Sequence, residues 1–117
     1  NYVPARLTGI YLLLAATIIK LPVKKAIAAW RKYAHQHPSP NGGVPESIVA
    51  GALGIRLGGY NWYHGHKHFR AYLGEKEREI APEDILTTVK MMDIAYILFS
   101  GVVLMMIIGL WQLGGIR

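Results

Sequence analysis

The chain has 117 residues, of which 52% are hydrophobic and 17% charged, with a formal net charge of +6 and no cysteine. An ordinary soluble domain is about 25% charged, so the composition leans towards a membrane protein, and the apolar residues gather near the two ends. Disulfides, thiolate metal sites and cysteine nucleophiles are excluded within this stretch; of the partners a basic chain admits, nucleic acid is the weakest, because no nucleic-acid motif is present and the cations flank hydrophobic segments.

The first predicted element is a hydrophobic helix over 7–21. Its uncharged core, LTGIYLLLAATII, is 13 residues long and lies between Arg6 and Lys20. That is short of the roughly 20 residues that cross a bilayer. A spanning helix extended at both ends is favoured over a re-entrant segment. Pro4 fits the first turn. Arg6 at the edge of an apolar helix needs water, a partner or a ligand, so it reads either as an interfacial anchor or as an anion contact. Residues 22–35 follow as an amphipathic helix, with Val23, Ala26, Ile27, Trp30, Tyr33 and Ala34 at helical spacing and Lys24, Lys25, Arg31 and Lys32 mostly elsewhere. A basic helix carrying Trp and Tyr suits a membrane surface.

The densest stretch is 37–59, HPSPNGGVPESIVAGALGIRLGG. Pro38 and Pro40 stiffen a turn, and Asn41, Gly42 and Gly43 permit conformations other residues resist. Pro45 then reads as the first residue of a helix, with Glu46 in its first turn. That helix is expected to run through Leu57 and to end at Gly58 and Gly59. The spacing is not that of a P-loop. A turn leading into a packed helix accounts for it, and so does a helix start that holds a phosphate or carboxylate. Arg56 near the helix end has an electrostatic explanation as well as a functional one.

Residues 60–79 form a polar lobe. His64, His66 and His68 would share a face only on a regular strand, which Gly65 interrupts, so a loop is preferred to a metal site. Tyr60, Trp62, Tyr63, Phe69 and Tyr72 suit either a flat apolar ligand, lipid headgroups or the lobe's own packing. The alternating charges of 75–79 read as a solvated turn. Pro82, Glu83 and Asp84 open a helix. The uncharged run 94–116 is long enough to span a bilayer, with Trp111 and Arg117 as anchors at its far end. Of the 13 Lys and Arg residues, 11 lie between Lys20 and Lys90, which makes the central lobe cytoplasmic by the positive-inside rule. The fold expected is therefore all-α: a polytopic membrane protein fragment whose two hydrophobic helices flank a cytoplasmic helical and loop lobe over 22–93.

The string at 37–59, followed by Asn61 and Tyr63, resembles the signature of adenosylcobinamide-phosphate synthase, the CbiB/CobD family of cobalamin biosynthesis. NYVPARLT at 1–8 resembles a second motif of that family, and RAYLG at 70–74 and PEDI at 82–85 fall in the expected order. The likeness covers essentially the whole chain, as a C-terminal portion of a longer protein. Val44, Tyr60 and the histidine-rich 64–68 depart from the usual pattern. The resemblance implies a multi-pass protein of a bacterial or archaeal cell membrane. It implies ATP-dependent joining of adenosylcobyric acid to aminopropanol phosphate, through an activated acyl phosphate, with Mg²⁺ accompanying ATP. Membrane lipid and the missing N-terminal half are the implied partners, and this segment alone is expected to be inactive. Glu46, His37 and Arg56 are the candidate catalytic residues. Arg6, Ser39, Asn41, Gly42, Gly43, Gly58, Gly59, Asn61 and Tyr63 are the candidates for substrate or phosphate binding, and no resident metal ligand is expected. The alternative is a non-catalytic membrane sensor or regulator of the same family.

Overall fold

The computed structural model describes residues 2–114. Asn1 of the opening motif, the last residues of the 94–116 run and the Arg117 anchor lie outside the described residues. The chain forms α1 (Tyr2–Ile18), α2 (Val23–Tyr33), a 3-10 turn (Ala34–Gln36), α3 (Pro40–Leu53), strands β1 (Leu57–Tyr63) and β2 (His66–Leu73), and α4 (Glu83–Gln112). It is mostly helical, but the all-α expectation is corrected by the β1–β2 hairpin.

Helix α1 covers 2–18 rather than 7–21 and has 17 residues, about 26 Å of rise against a hydrocarbon layer of about 30 Å. It ends in a Schellman turn: Leu21 N–H donates to Ala16 O (2.8 Å) and Lys20 N–H to Thr17 O (3.1 Å). Lys20 takes the left-handed position at φ 63°, which glycine would fill without steric cost. One face of α1 is buried at Gly9, Leu12, Ala15 and Ala16, against α3 and α4. The core joins Leu12, Ala15 and Ala16 to Ala26 of α2, Val44, Ile48 and Ala52 of α3, and Met91 and Ala95 of α4. Small residues let the backbones close in. A Cβ on Gly51 would stand 2.6 Å from both Ala29 Cβ and Lys25 O.

Helix α3 starts at Pro40, five residues before the expected start at Pro45 (45 − 40), and Pro45 lies inside it. Pro45 has no N–H to give the Asn41 carbonyl, and the turn is held instead by its neighbours. Gly43 N–H donates to Ser39 O (3.0 Å), and the buried Ser47 hydroxyl donates to Gly43 O (2.5 Å). The helix ends at Leu53, not Leu57, because Gly54 turns left-handed at φ 69°. Gly58 and Gly59 are therefore strand residues at a register irregularity and do not close the helix. A two-residue turn, His64–Gly65, with φ of 50° and 78°, closes the antiparallel hairpin with Tyr63 opposite His66.

The 75–82 connection is exposed, as expected of a charged turn, but it is also tied down. Lys25 pairs with Glu77 (2.7 Å) and Lys32 with Glu75 (3.2 Å). Arg78 grips Asp84 through two nitrogens (2.9 and 2.5 Å). Asp84 also accepts the Ala81 N–H at 2.7 Å, which fixes the entry into α4. Helix α4 has 30 residues, about 45 Å of rise. It is the one helix among the described residues long and apolar enough to cross a membrane. Beyond Ala95 its side chains are almost all exposed, Trp111 at 57% included.

Candidate functional site

Pro38 disfavours a helical conformation for the residue before it, so the 3-10 turn stops and His37 is extended (φ −68°, ψ 141°). That conformation turns the imidazole back over the first turn of α3. Ser39 N–H donates to Nδ1 at 2.9 Å, which leaves the neutral ring's proton on Nε2. The ring rests on the two glycines: a Cβ on Gly43 would stand 2.8 Å from His37 Cβ and 2.1 Å from Ala34 O, and one on Gly42 would stand 3.3 Å from His37 Cε1. Gly42 and Gly43 thus make a seat for the imidazole, and the Gly43 amide is already taken by Ser39. The expected loop of free glycine amides is in this respect corrected, because these residues sit inside the helix.

From that seat Nε2 lies 2.6 Å from Glu46 Oε2. The contact is close but not aligned as a hydrogen bond, and Nε2 is the only buried side-chain nitrogen or oxygen among the described residues without an aligned partner. His37 is 10% exposed and Glu46 44%. A buried polar atom left unsatisfied calls for a reason, and here it faces a carboxylate that reaches open space. The pair becomes ionic when the ring is protonated.

Glu46 also lines a groove of about 920 Å³ between α1, α3 and α4, whose walls include Tyr11, Pro45, Asp84 and Tyr96. The walls are largely apolar and carry two carboxylates. Asp84 is committed: the bidentate bond from Arg78, and then the Ala81 N–H, hold its carboxyl well below the usual range, at about 2, and the Arg78 guanidinium is raised in return. Glu46 is therefore the uncommitted carboxylate of the groove. Among the described residues no group of three or more His, Asp or Glu is placed to hold a metal ion.

The structure gathers His37, Ser39, Gly42, Gly43 and Glu46 in one place, with Asn41 in the same helical turn. Other candidates lie on other elements, and none bonds to that group. Arg6 sits on α1 with its guanidinium 3.5 Å over the Tyr2 ring. Arg56 lies 3.9 Å over Tyr72, beside a smaller cleft of about 390 Å³ that includes Tyr33 and Gln36. Gly58, Gly59, Asn61 and Tyr63 belong to β1, and Gly58 is required there because a Cβ would meet Ala71 O at 2.2 Å. Sequence reasoning missed the Arg78–Asp84 clamp, whose signal is an acid three residues after Ala81 at a helix start. It also missed the groove tyrosines, which carry no local signal.

Residues 1–92 match the model of a family described as CobD/Cbib protein. A "Cobalamin biosynthesis protein CobD" of Klebsiella pneumoniae is 42% identical over 106 residues, 87% of this chain and 33% of the relative. One of Streptococcus sanguinis is 41% identical over 92 residues, 79% of this chain and 29% of the relative. A "Cobalamin biosynthesis protein CbiB" of Salmonella paratyphi B is 39% identical over 95 residues, 81% of this chain and 30% of the relative. No solved structure matches. The chain spans about a third of the length of the curated relatives it matches, and it belongs to the CobD/Cbib family.

Proposed function

We propose that, as part of a CobD/Cbib protein, this chain contributes to an adenosylcobinamide-phosphate synthase of cobalamin biosynthesis. The reaction is the ATP-dependent ligation of adenosylcobyric acid with aminopropanol phosphate. The observation that carries the reading is the buried His37 Nε2 beside Glu46, on the wall of an open groove of about 920 Å³. A carboxylate is a poor acyl donor, so the terminal phosphoryl group of ATP passes to a carboxylate oxygen and ADP leaves. The amine nitrogen then attacks the carbonyl carbon of the acyl phosphate, the amide bond forms and inorganic phosphate leaves. Glu46 takes the amine's proton, and His37, held by Ser39 and seated on the glycines, fixes the carboxylate and supports its charge.

Magnesium arriving with ATP draws most of its ligands from phosphate oxygens and water, with one or two carboxylates. When bound it would offset phosphate charge; with Glu46 assigned to the proton, the ligands from protein are proposed to come from the remainder of the longer chain. Arg6 and Arg56 are the cations proposed for anionic groups. The remainder of the longer family chain is proposed to complete the site. Helix α4 is read as crossing the cell membrane, with α1 packed beside it. The lobe between them, which carries most of the cations, faces the cytoplasm.

The test is growth. The complete gene is expressed in a bacterial strain that lacks the synthase, on cobyric acid or on cobinamide. Growth on cobyric acid supports the ligase. Growth only on cobinamide, with the protein expressed and membrane-inserted, rejects the ligase in favour of a non-catalytic relative.

A further inference from the structure

The hairpin has two chemically different faces. Residues directly opposite one another in an antiparallel pair project to the same face, and neighbours alternate. Tyr60 lies opposite Phe69 and Trp62 opposite Lys67, whereas Asn61 lies opposite His68 and Tyr63 opposite His66. One face therefore carries Tyr60, Trp62, Phe69 and Lys67, and the other carries Asn61, Tyr63, His66 and His68. On the first face the groups associate with each other: the Tyr60 and Phe69 rings are 5.0 Å apart, and Lys67 Nζ lies 4.4 Å over Tyr60. They are otherwise open, with Tyr60 62%, Trp62 70% and Phe69 53% exposed. A two-stranded ribbon is marginal in water, and three open aromatic rings on one face of it ask for a partner.

We propose that this face is a peripheral membrane anchor that lies on anionic lipid headgroups. The charge distribution selects the occupant. No acid occurs between Glu46 and Glu75, and Lys67 is the cation on this face; Arg56 and Arg70 add positive charge to the same stretch, Arg70 from the opposite face of β2. Phe69 and Ala71 continue the face into the cleft beside Tyr33, in the last turn of α2, which carries Arg31 and Lys32; the acid at the rim, Glu75, is engaged by Lys32. An apolar protein surface would bury Lys67 without a counter-charge. An anionic headgroup layer accepts Trp and Tyr rings and satisfies the amine at the same depth. The lobe then lies against the bilayer that α4 is read as crossing. The proposal rests on that membrane reading and not on the ligase reaction.

The complete protein, labelled biosynthetically with 5-fluorotryptophan, is placed in lipid nanodiscs of phosphatidylcholine with or without phosphatidylglycerol. The fluorine resonance of Trp62 is identified by its loss in Trp62→Phe. In anionic discs the resonance is expected to be broadened by headgroup-proximal doxyl lipid and protected from an aqueous gadolinium chelate. Lys67→Gln lowers the docked-to-free ratio by about fivefold, and neutral discs lower the protection further. Equal gadolinium broadening in anionic and neutral discs, with no effect of doxyl lipid, overturns the proposal. Protection that persists unchanged in neutral discs and ignores doxyl lipid also overturns it, and marks a protein contact instead.

Discussion

Gly43→Ala is the sharpest perturbation of the site's foundation. A Cβ there would stand 2.1 Å from the Ala34 carbonyl oxygen and 2.8 Å from His37 Cβ. Cβ contacts below 3.0 Å are essentially absent from proteins, so the 3-10 turn and α3 must separate by about 1 Å (3.0 − 2.1). The obstacle is backbone, which has no other rotamer to adopt, so the cost falls at the upper end of the 1–3 kcal/mol typical of overpacking. Helix propensity returns up to about 1 kcal/mol on replacing glycine by alanine, leaving a net loss of about 2 kcal/mol. Gly42→Ala is the control: its nearest contact is His37 Cε1 at 3.3 Å, so it should be neutral or stabilising by up to about 1 kcal/mol. Urea unfolding of the complete protein in detergent measures both. A Gly43→Ala variant within about 0.5 kcal/mol of Gly42→Ala would refute the close passage of Gly43 against the Ala34 carbonyl that fixes the 3-10 turn on α3.

Asp84 has a lowered native pKa, about 2, against an unfolded value of about 3.9. Its stabilising effect is therefore full above about pH 4 and is lost as pH falls towards 2. Asp84→Asn should lower the melting temperature at pH 7 and flatten the acid limb between pH 4 and 2, and a parallel acid limb in the variant would count against the clamp. Lys20→Gly relieves a left-handed φ of 63° and should stabilise the protein by up to about 1 kcal/mol, measured by the same unfolding; a loss would mean that the lysine side chain has a role of its own. Val103→Arg, at the middle of the exposed apolar part of α4, should cost about 2.5–3.5 kcal/mol of membrane insertion. A glycosylation-based insertion assay reads that directly, and unchanged insertion would contradict a spanning α4.

The sequence was most legible where one physical signal dominated. The uncharged run from Ile94 gave the long helix, and the apolar spacing of Ala26, Trp30 and Tyr33 gave α2. The hairpin was missed because nearly all of 60–70 is exposed. Without a buried face the alternation of 60–63 and 66–69 carries no core signal, since both faces hold aromatic or polar side chains, and the surviving cue was a two-residue His64–Gly65 turn between aromatic-rich runs. The start of α3 was misjudged because both Pro40 and Pro45 suit a first helical position, and Gly42–Gly43 reads as a breaker. Their reason is tertiary, since Gly43 passes against Ala34 O. His37 and Glu46 were legible singly as chemical groups. Their pairing was not, because it depends on the ring turning back over a helix start that falls between them.

The measurement closest to the central claim is the rate of amide formation by the purified complete protein carrying Glu46→Ala, at saturating ATP, adenosylcobyric acid and aminopropanol phosphate, beside Glu46→Asp and His37→Ala. Proton transfer by a positioned side chain contributes about 10²–10⁴-fold. Glu46→Ala should therefore lose at least about 10²-fold in kcat with its melting temperature unchanged, and Glu46→Asp should recover part of it. An alanine variant that forms the amide within about twofold of the parent rate, folded and saturated, would remove Glu46 from the chemistry.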